Sequence, residues 1–262
     1  MFAFWLAAGT LWQREWVRFY RQPSRVVGAI GSPLVFWLVL GSGIGTSLQS
    51  GASGKTVDYL HYFFPGTLMM ILLFTSLFST ISLIEDRKSG FMQAVLAAPV
   101  PRMSLVLGKI FGGATLAVMQ GLIFMLLAPF AGFSLSPLMI AAATGVLFIN
   151  AFALTGLGFL LAWQFRSVQG FHAVMNLFLI PLWLLSGALF PQTSAHGWIR
   201  FLMQINPLTY GLAALQKVLS PSFSGLQPIP FPAALAAIAF FSGAMLLAGA
   251  KTASRRSAKD LS

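Results

Sequence analysis

The sequence contains no cysteine in 262 residues, which excludes disulfides, thiol catalysis and cysteine-ligated metal sites. Charged side chains are also scarce, at 8% of the chain, whereas a soluble domain carries about 25%. Hydrophobic residues make up 57%, too many for a protein that is solvated on every side. The composition therefore predicts an all-α integral membrane protein, with residues 1–262 forming one membrane domain.

Acidic residues are missing from every predicted membrane span. Ion-coupled carriers and proton pumps keep ionisable groups inside the bundle, because those groups bind the driving ion. His61, His172 and His196 are too scattered for a metal site. No Ser/His/acid set shares one membrane depth, which disfavours an intramembrane hydrolase. We therefore expect no metal, no cofactor and no catalytic centre in this chain.

A complete nucleotide-binding loop is missing as well. Residues 51–56 read Gly-Ala-Ser-Gly-Lys-Thr, which resembles the end of a phosphate-binding loop. The full pattern needs a glycine five residues before Gly54, and Gln49 occupies that position. The segment is also predicted to face the outside, where there is no ATP. Energy for uphill transport must therefore come from another polypeptide.

The N-terminal stretch, residues 4–21, predicts an amphipathic helix in the plane of the membrane surface. At 100° per residue its aromatic side chains share one arc and its basic side chains share the opposite one: Trp5, Trp12, Trp16 and Phe19 against Arg14, Arg18 and Arg21. A disordered basic tail is the alternative, but it would not need the aromatic stripe. The start of the chain lacks the basic residues of a cleavable signal peptide.

Six apolar stretches are long enough to cross a membrane as helices, which takes about 20 residues each. They are residues 26–48, 63–84, 110–130, 138–163, 171–189 and 233–250. Pro65 is predicted in the first turn of the second span, and a kink is predicted at Pro181 in the fifth.

The basic residues decide the orientation, because Lys and Arg concentrate in cytoplasmic segments. With a cytoplasmic N-terminus, 13 of the 16 lie inside: Arg14, Arg18, Arg21, Arg25, Arg87, Lys88, Arg102, Lys109, Arg166, Lys251, Arg255, Arg256 and Lys259. Lys55, Arg200 and Lys217 lie outside. This distribution predicts six spans with both termini in the cytoplasm of a bacterial inner membrane. It also accounts for the net charge of +11 without a nucleic-acid partner.

Residues 190–232 form an outer segment that is too long for a turn and too apolar for a free loop. Two short helices are predicted there, with a break at Asn206-Pro207, and neither is long enough to cross. A re-entrant pair that dips into the outer leaflet fits this pattern. A partly ordered surface loop is the alternative.

Neutral polar residues lie within the spans, among them Gln120, Asn150, Thr155 and Asn176. We interpret them mainly as hydrogen-bonding contacts between helices. The functional alternative is that Asn150 or Asn176 lines a substrate path.

The segment 85–99 separates two long uncharged blocks, and it begins Glu85-Asp86-Arg87-Lys88-Ser89-Gly90-Phe91. Together with Leu96 and Pro99, it resembles the cytoplasmic motif between spans two and three of ABC-2 type transporter permeases. Two further stretches are similar to motifs of that family: Leu107-Gly108-Lys109 and Ile205-Asn206-Pro207-Leu208-Thr209-Tyr210. Phe91-Met92-Gln93 departs from the Thr-Leu-Glu that often follows the glycine.

The resemblance implies that two six-span subunits pair in the membrane and that two cytoplasmic ATPase subunits bind ATP and dock beneath them. Residues 85–98 would then be the coupling helix. Its implied contacts are Glu85, Asp86, Arg87, Lys88, Gly90, Phe91, Val95 and Leu96, with Phe91, Val95 and Ala98 filling an apolar pocket of the ATPase. An ordinary loop lying on lipid is the alternative. Asn206, Pro207 and Tyr210 would mark the re-entrant segment.

The expected function is that of an export permease, not an enzyme, for an amphipathic drug, lipid or glycan-like substrate. The export direction comes from the family resemblance. The alternative is a passive channel or membrane scaffold that does not depend on ATP.

Overall fold

The structure, a computed structural model, describes residues 2–44, 48–49, 56–220 and 228–256. These residues are helical apart from connecting turns and one two-residue β ladder. Six helical stretches are long and apolar enough to cross a membrane: Val27–Ile44, Tyr59–Lys88, Arg102–Met125, Pro137–Gln164, Val168–Ala188 and Phe231–Ser254. The predicted all-α fold with six membrane spans is confirmed.

The first half of the chain contains α1 (Phe2–Tyr20), α2 (Pro23–Ile44), α3 (Tyr59–Ser79), α4 (Ile81–Lys88), α5 (Phe91–Ala97) and α6 (Arg102–Met125). The second half contains α7 (Pro137–Gln164), α8 (Val168–Trp183), α9 (Gly197–Ile205), α10 (Pro207–Leu219) and α11 (Phe231–Arg256). Short 3-10 turns lie at Ala128–Ala131 and Gln192–Ser194, and a π-helical turn extends α8 over Leu184–Ala188. Strands β1 (Leu48–Gln49) and β2 (Thr56–Val57) pair antiparallel between α2 and α3.

Several helix ends differ from the prediction. The described part of α2 ends at Ile44, and residue 48, the predicted limit of this span, pairs with Val57 in the β ladder. α3 begins four residues earlier than predicted, so Pro65 lies in its second turn and not in its first. The predicted kink at Pro181 takes the form of the π-helical turn that follows α8.

Side chains cap the helices where the chain enters them, so that backbone N–H groups with no partner in the helix are satisfied. Asp58 accepts from the Leu60 N–H at 3.1 Å at the start of α3. Ser136 and Ser167 do the same for α7 and α8, at 3.2 and 3.1 Å. Asn206 caps α10, where Pro207 occupies the first helical position.

α3 is the central helix, in contact with α2, α6, α7 and α10, and nearly all of its side chains are buried. α2 and α11 lie at the periphery, and few of their side chains are fully buried. α1 lies along α6. Its N-terminal Trp5 is 65% exposed, as expected of a surface helix.

Two short helices precede the last span, as predicted. α10 is buried against α3, α7, α11 and the π-helical turn, whereas α9 exposes Trp198, Phe201 and Ile205. Of the other predicted features, the phosphate-loop-like residues 51–55, the outer residues 221–227 and the tail 257–262 lie outside the described residues.

Candidate functional site

The segment after α3 consists of two short helices, α4 and α5, joined at Gly90. Gly90 has φ 77°, a left-handed conformation that side chains strongly disfavour. A Cβ at this position would meet nothing within 4 Å. The glycine is therefore needed for the direction of the chain and not for space. This turn sets how α5 faces the rest of the bundle.

Asp86 on α4 is fully buried, although the sequence placed it in an exposed cluster. Its carboxylate accepts hydrogen bonds from Nη1 of Arg14 and from Nη2 of Arg18, both at 2.8 Å, and Nη2 of Arg14 forms a salt bridge with it at 2.8 Å. It also accepts from Nζ of Lys109 at 2.5 Å. A buried carboxylate needs such partners because it has lost its water. Asp86 therefore joins α1, α4 and α6.

Lys109 is the second centre of this cluster, with a side chain only 5% exposed. Its ammonium donates to Glu15 at 2.5 Å and to Ser82 at 3.1 Å, in addition to Asp86. Arg18 also lies 3.8 Å from Glu85. We call the six charged residues the charge network: Arg14, Glu15, Arg18, Glu85, Asp86 and Lys109. Its three cations balance its three carboxylates, so the cluster is formally neutral.

The position of α1 corrects one expectation. Its basic face was predicted to lie opposite the aromatic face and towards the headgroups, but Arg14 and Arg18 turn onto Asp86. Burial tends to lower the pKa of Arg18. The charge of Asp86 and the hydrogen bond to it nevertheless raise that pKa above its ordinary value. On the aromatic face, Trp12 and Trp16 both donate to Oγ1 of Thr115 on α6 at 3.0 Å.

Arg87 also bonds within the chain. Its guanidinium donates to the carbonyls of Ala162 at 2.6 Å, Trp163 at 2.9 Å and Phe165 at 2.5 Å. These carbonyls end α7, where a cation also suits the helix dipole. Arg87 therefore caps α7 in this structure, whereas Lys88 beside it is exposed.

α5 turns its apolar side inward. Phe91 lies beneath Arg14, whose Cζ is 3.6 Å from the ring centroid, and Met92 is buried. Val95 and Leu96 pack half-buried against the core. Of the predicted ATPase-contacting residues Phe91, Val95 and Ala98, the first two are therefore half-buried against the chain's own core, and Ala98 is exposed. The exposed face carries Gln93, Ala94, Ala97 and Ala98.

Both ends of the described chain lie at the end of the bundle that carries the charge network, which we call the charged end. α1 reaches it through Glu15 and Lys109. The last turn of α11 reaches it through Ala253, whose carbonyl accepts from Arg102 at 3.3 Å. A chain that crosses the membrane an even number of times has both of its ends on the same side.

At the opposite end, Asn206 and Tyr210 hold the joint between α9 and α10. Asn206 donates to the Leu182 carbonyl at 2.6 Å, and Tyr210 donates to the Gln204 carbonyl at 2.8 Å. The π-helical turn beside them includes Gly187 with φ 91°, whose carbonyl accepts from Tyr62 at 2.6 Å. Sequence reasoning missed this turn. Pro181 was its only local signal.

Asn150 and Asn176 are not brought together. Asn150 is buried, donates to the Val146 carbonyl at 2.8 Å and lies against Gly211 of α10, which is a packing role. Asn176 lies exposed on α8. In the part of the chain that the structure describes, no cluster of His, Cys, Asp or Glu could hold a metal ion.

The chain has six spans, a surface helix that is bonded to the segment after the second span, and a short exposed helix in that segment. Together these features define a polytopic transport subunit. The profile of the ABC-2 type transporter family matches residues 7–220. This chain belongs to that family. It is therefore a membrane permease of an ABC transporter, which works with an ATPase partner.

Curated relatives agree with this assignment. The chain is 30% identical to ycf38 of Cyanophora paradoxa, named as a transport permease, over 80% of this chain and 73% of that protein. It is 23% identical to the inner membrane transport permease YadH of Escherichia coli, over 88% of both chains. It is 25% identical to nodulation protein J of Rhizobium meliloti, over 82% of this chain and 80% of the relative.

Proposed function

We propose that this chain exports an amphipathic substrate, either a drug, a lipid or a glycan-like molecule, by alternating access. It pairs with a second permease subunit, either another copy or a related chain, and two ATPase subunits bind and hydrolyse the ATP. The apolar lining of the bundle and its neutral intramembrane groups support an amphipathic cargo over a small ion. The protein lies in a bacterial inner membrane, in line with the name of its Escherichia coli relative, an inner membrane transport permease.

The charged end faces the cytoplasm in this proposal. Support comes from the basic residues that gather there, since Lys and Arg concentrate in cytoplasmic segments. Arg14, Arg18, Arg87 and Lys109 all lie at that end. Both termini are then cytoplasmic.

The observation that carries the proposal is the linkage of α5 to the spans. Arg14 stacks on Phe91 and binds Asp86 with the same guanidinium. Asp86 in turn binds Lys109 of α6. A force on α5 therefore reaches the surface helix and the second and third spans through a partly buried cluster of ion pairs. The ATPase docks on the exposed face of α5, where Ala94 and Ala97 permit close approach.

The test is co-expression with the ATPase subunit, followed by purification and reconstitution. Ala94→Trp places a bulky side chain on the exposed face of α5 without entering the core. We expect it to lower ATPase capture and ATP-driven transport about tenfold, the effect of losing about 1.4 kcal/mol of binding. The matched control is Ala3→Trp, at an exposed alanine of α1.

Equal capture of the ATPase by both variants would remove α5 as the docking element. Substrate flux in liposomes that is unaffected by ATP would favour a passive channel instead. Wild-type protein that binds no ATPase subunit and moves no substrate with ATP would refute the export proposal.

A further inference from the structure

A cavity of about 350 Å³ lies beside the charge network, lined by residues of α1, α2, α3, α4, α6 and α8. Small-molecule sites have volumes of roughly 300–1,000 Å³ and are lined by apolar and aromatic side chains with a few polar groups. The walls here are Pro33, Met70, Phe74, Phe78 and Leu116. The cavity therefore has the size and lining of a binding site, and it contains neither Asn150 nor Asn176.

The cavity lining on α3 runs from Met70 to Ser79. These ten residues span nine helical rises of 1.5 Å, or about 14 Å. Half of a bilayer's hydrocarbon core is about 15 Å thick. The apolar part of a ligand in this cavity would therefore match the chain depth of one leaflet, the leaflet at the charged end.

The polar end of the cavity offers hydrogen-bond donors. Arg18 is 22% exposed and donates to Asp86 at 2.8 Å and to the Ser82 carbonyl at 3.2 Å. A guanidinium carries five N–H donors, so donors remain after these two bonds. His172 lines the same cavity with its ring 5.0 Å from Phe78, and within the described residues no hydrogen bond to that ring is found.

Among the described residues that line the cavity, Glu15 is the only carboxylate, and a cation of the same chain balances its charge. Glu15 is held by Lys109 at 2.5 Å, and both side chains are 5% exposed. Arg21, which follows the end of α1 three residues after Arg18, is exposed and adds a further positive charge to this stretch of the chain. The polar end therefore suits an anion better than a cation.

The wall on the α2 side is thin. It is made of Gly28, Ala29 and Ser32, and both Gly28 and Ser32 are exposed at the surface of the bundle. A Cβ at Gly28 would meet nothing within 4 Å. A chain-bearing molecule can therefore enter from the side of the membrane past α2.

We propose that this cavity binds an amphipathic anion with one apolar chain, the chain along Met70 and Phe74 and the anionic group at Arg18 and His172. Glu15 and Arg18 belong to both the cavity wall and the charge network, so occupancy and the position of α5 act on the same residues. That the bound anion is also the exported cargo rests on the proposed function. A resident membrane lipid is the other source of the same chemistry.

Photolabelling of the purified chain in phosphatidylcholine nanodiscs tests the site without transport. The probe is palmitate with a diazirine in its chain, and the comparison probe is a diazirine-bearing hexadecyl trimethylammonium. We expect the palmitate probe to label the peptide containing Met70 to Phe78 and the cationic probe to label it several-fold less. Equal labelling of that peptide by the two probes would overturn the anionic assignment.

Two variants block the cavity from α2, Gly28→Leu and Ser32→Leu. We expect each to lower palmitate labelling of this peptide about tenfold, corresponding to about 1.4 kcal/mol of binding. Gly31→Leu is the matched control, since it lies on the same helix, has open space around its Cβ and does not line the cavity. Labelling that is unchanged in both blocking variants would overturn the site.

A transport experiment distinguishes an exported cargo from a resident membrane lipid as the occupant of the cavity. ATP-driven movement of the palmitate probe by the reconstituted complex, lost in Gly28→Leu, identifies the occupant as cargo. If the palmitate probe labels the cavity but is not transported, the occupant is a resident lipid and the proposed binding site is still supported. Failure of the complex to move any substrate with ATP would refute the export proposal while leaving the labelling result unaffected.

Discussion

Arg14 binds Asp86 through both ends of its guanidinium: Nη1 donates a hydrogen bond to Oδ2 at 2.8 Å, and Nη2 lies 2.8 Å from Oδ1 in a salt bridge. The pair joins a surface helix to the end of the second span, 72 residues away in sequence. The same guanidinium covers Phe91, the first residue of α5. The position of α5 therefore depends on a charge pair that is not contiguous in the chain.

Asp86→Asn should destabilise the fold, because it leaves Arg14, Arg18 and Lys109 with two carboxylates instead of three. Removing one partner of a buried pair costs about 3–5 kcal/mol. We expect a lower thermal midpoint in detergent and a lower yield of folded protein.

The double variant Asp86→Asn with Lys109→Met restores equal numbers of cations and carboxylates in the charge network. We expect it to be less destabilised than the sum of its single variants, since residues in one network couple. Additive losses would show that Asp86 and Lys109 act independently.

Arg87→Gln should destabilise the protein by about 1.5–3 kcal/mol, the range for hydrogen bonds to a charged group, because the end of α7 loses its donors. Lys88→Gln is the matched control, since it removes an equal charge from the next, exposed position. Chemical denaturation of the purified variants measures both effects. Equal unfolding midpoints for the two would contradict the capping role of Arg87.

The rate of ATP-driven transport in Gly90 variants should follow how well each residue tolerates a positive φ. We expect the rate to be highest for Gly, then Asn, then Ala, and lowest for Val. The left-handed conformation costs about 1–2 kcal/mol for an ordinary side chain. Because nothing lies within 4 Å of a Cβ there, a larger residue should impair ATP-driven transport more than folding. Transport rates that track side-chain volume but not φ preference would argue for a steric cause.

Tyr62→Phe should weaken the joint between α3 and the π-helical turn. It removes the donor to the Gly187 carbonyl, and leaving a buried acceptor unpaired costs about 1–3 kcal/mol. Tyr20→Phe is the control, because Tyr20 is 72% exposed. Thermal unfolding in detergent compares them, and a Tyr62 variant as stable as the Tyr20 variant would contradict the role of this bond.

The sequence identified many of the residues of the site, but it did not show which of them are in contact. The cluster from Glu85 to Gly90 stood out because long uncharged blocks flank it. Its partners Arg14 and Lys109 lie far away in the chain, and no local pattern relates a surface helix to a particular carboxylate. The amphipathic pattern of α5 was also visible, but the sequence did not show that Phe91 and Val95 pack in part against this chain's own core.

The sequence alone determined the class of the protein, because hydrophobic length and scarce charge leave few folds that satisfy every backbone group in a membrane. It also determined the six spans and the short helix pair at Asn206-Pro207. Tertiary structure decided which charges are buried, since burial depends on what packs over a residue and not on its neighbours in the chain. Asp86, read as an exposed charge in the sequence, lies fully buried between three cations.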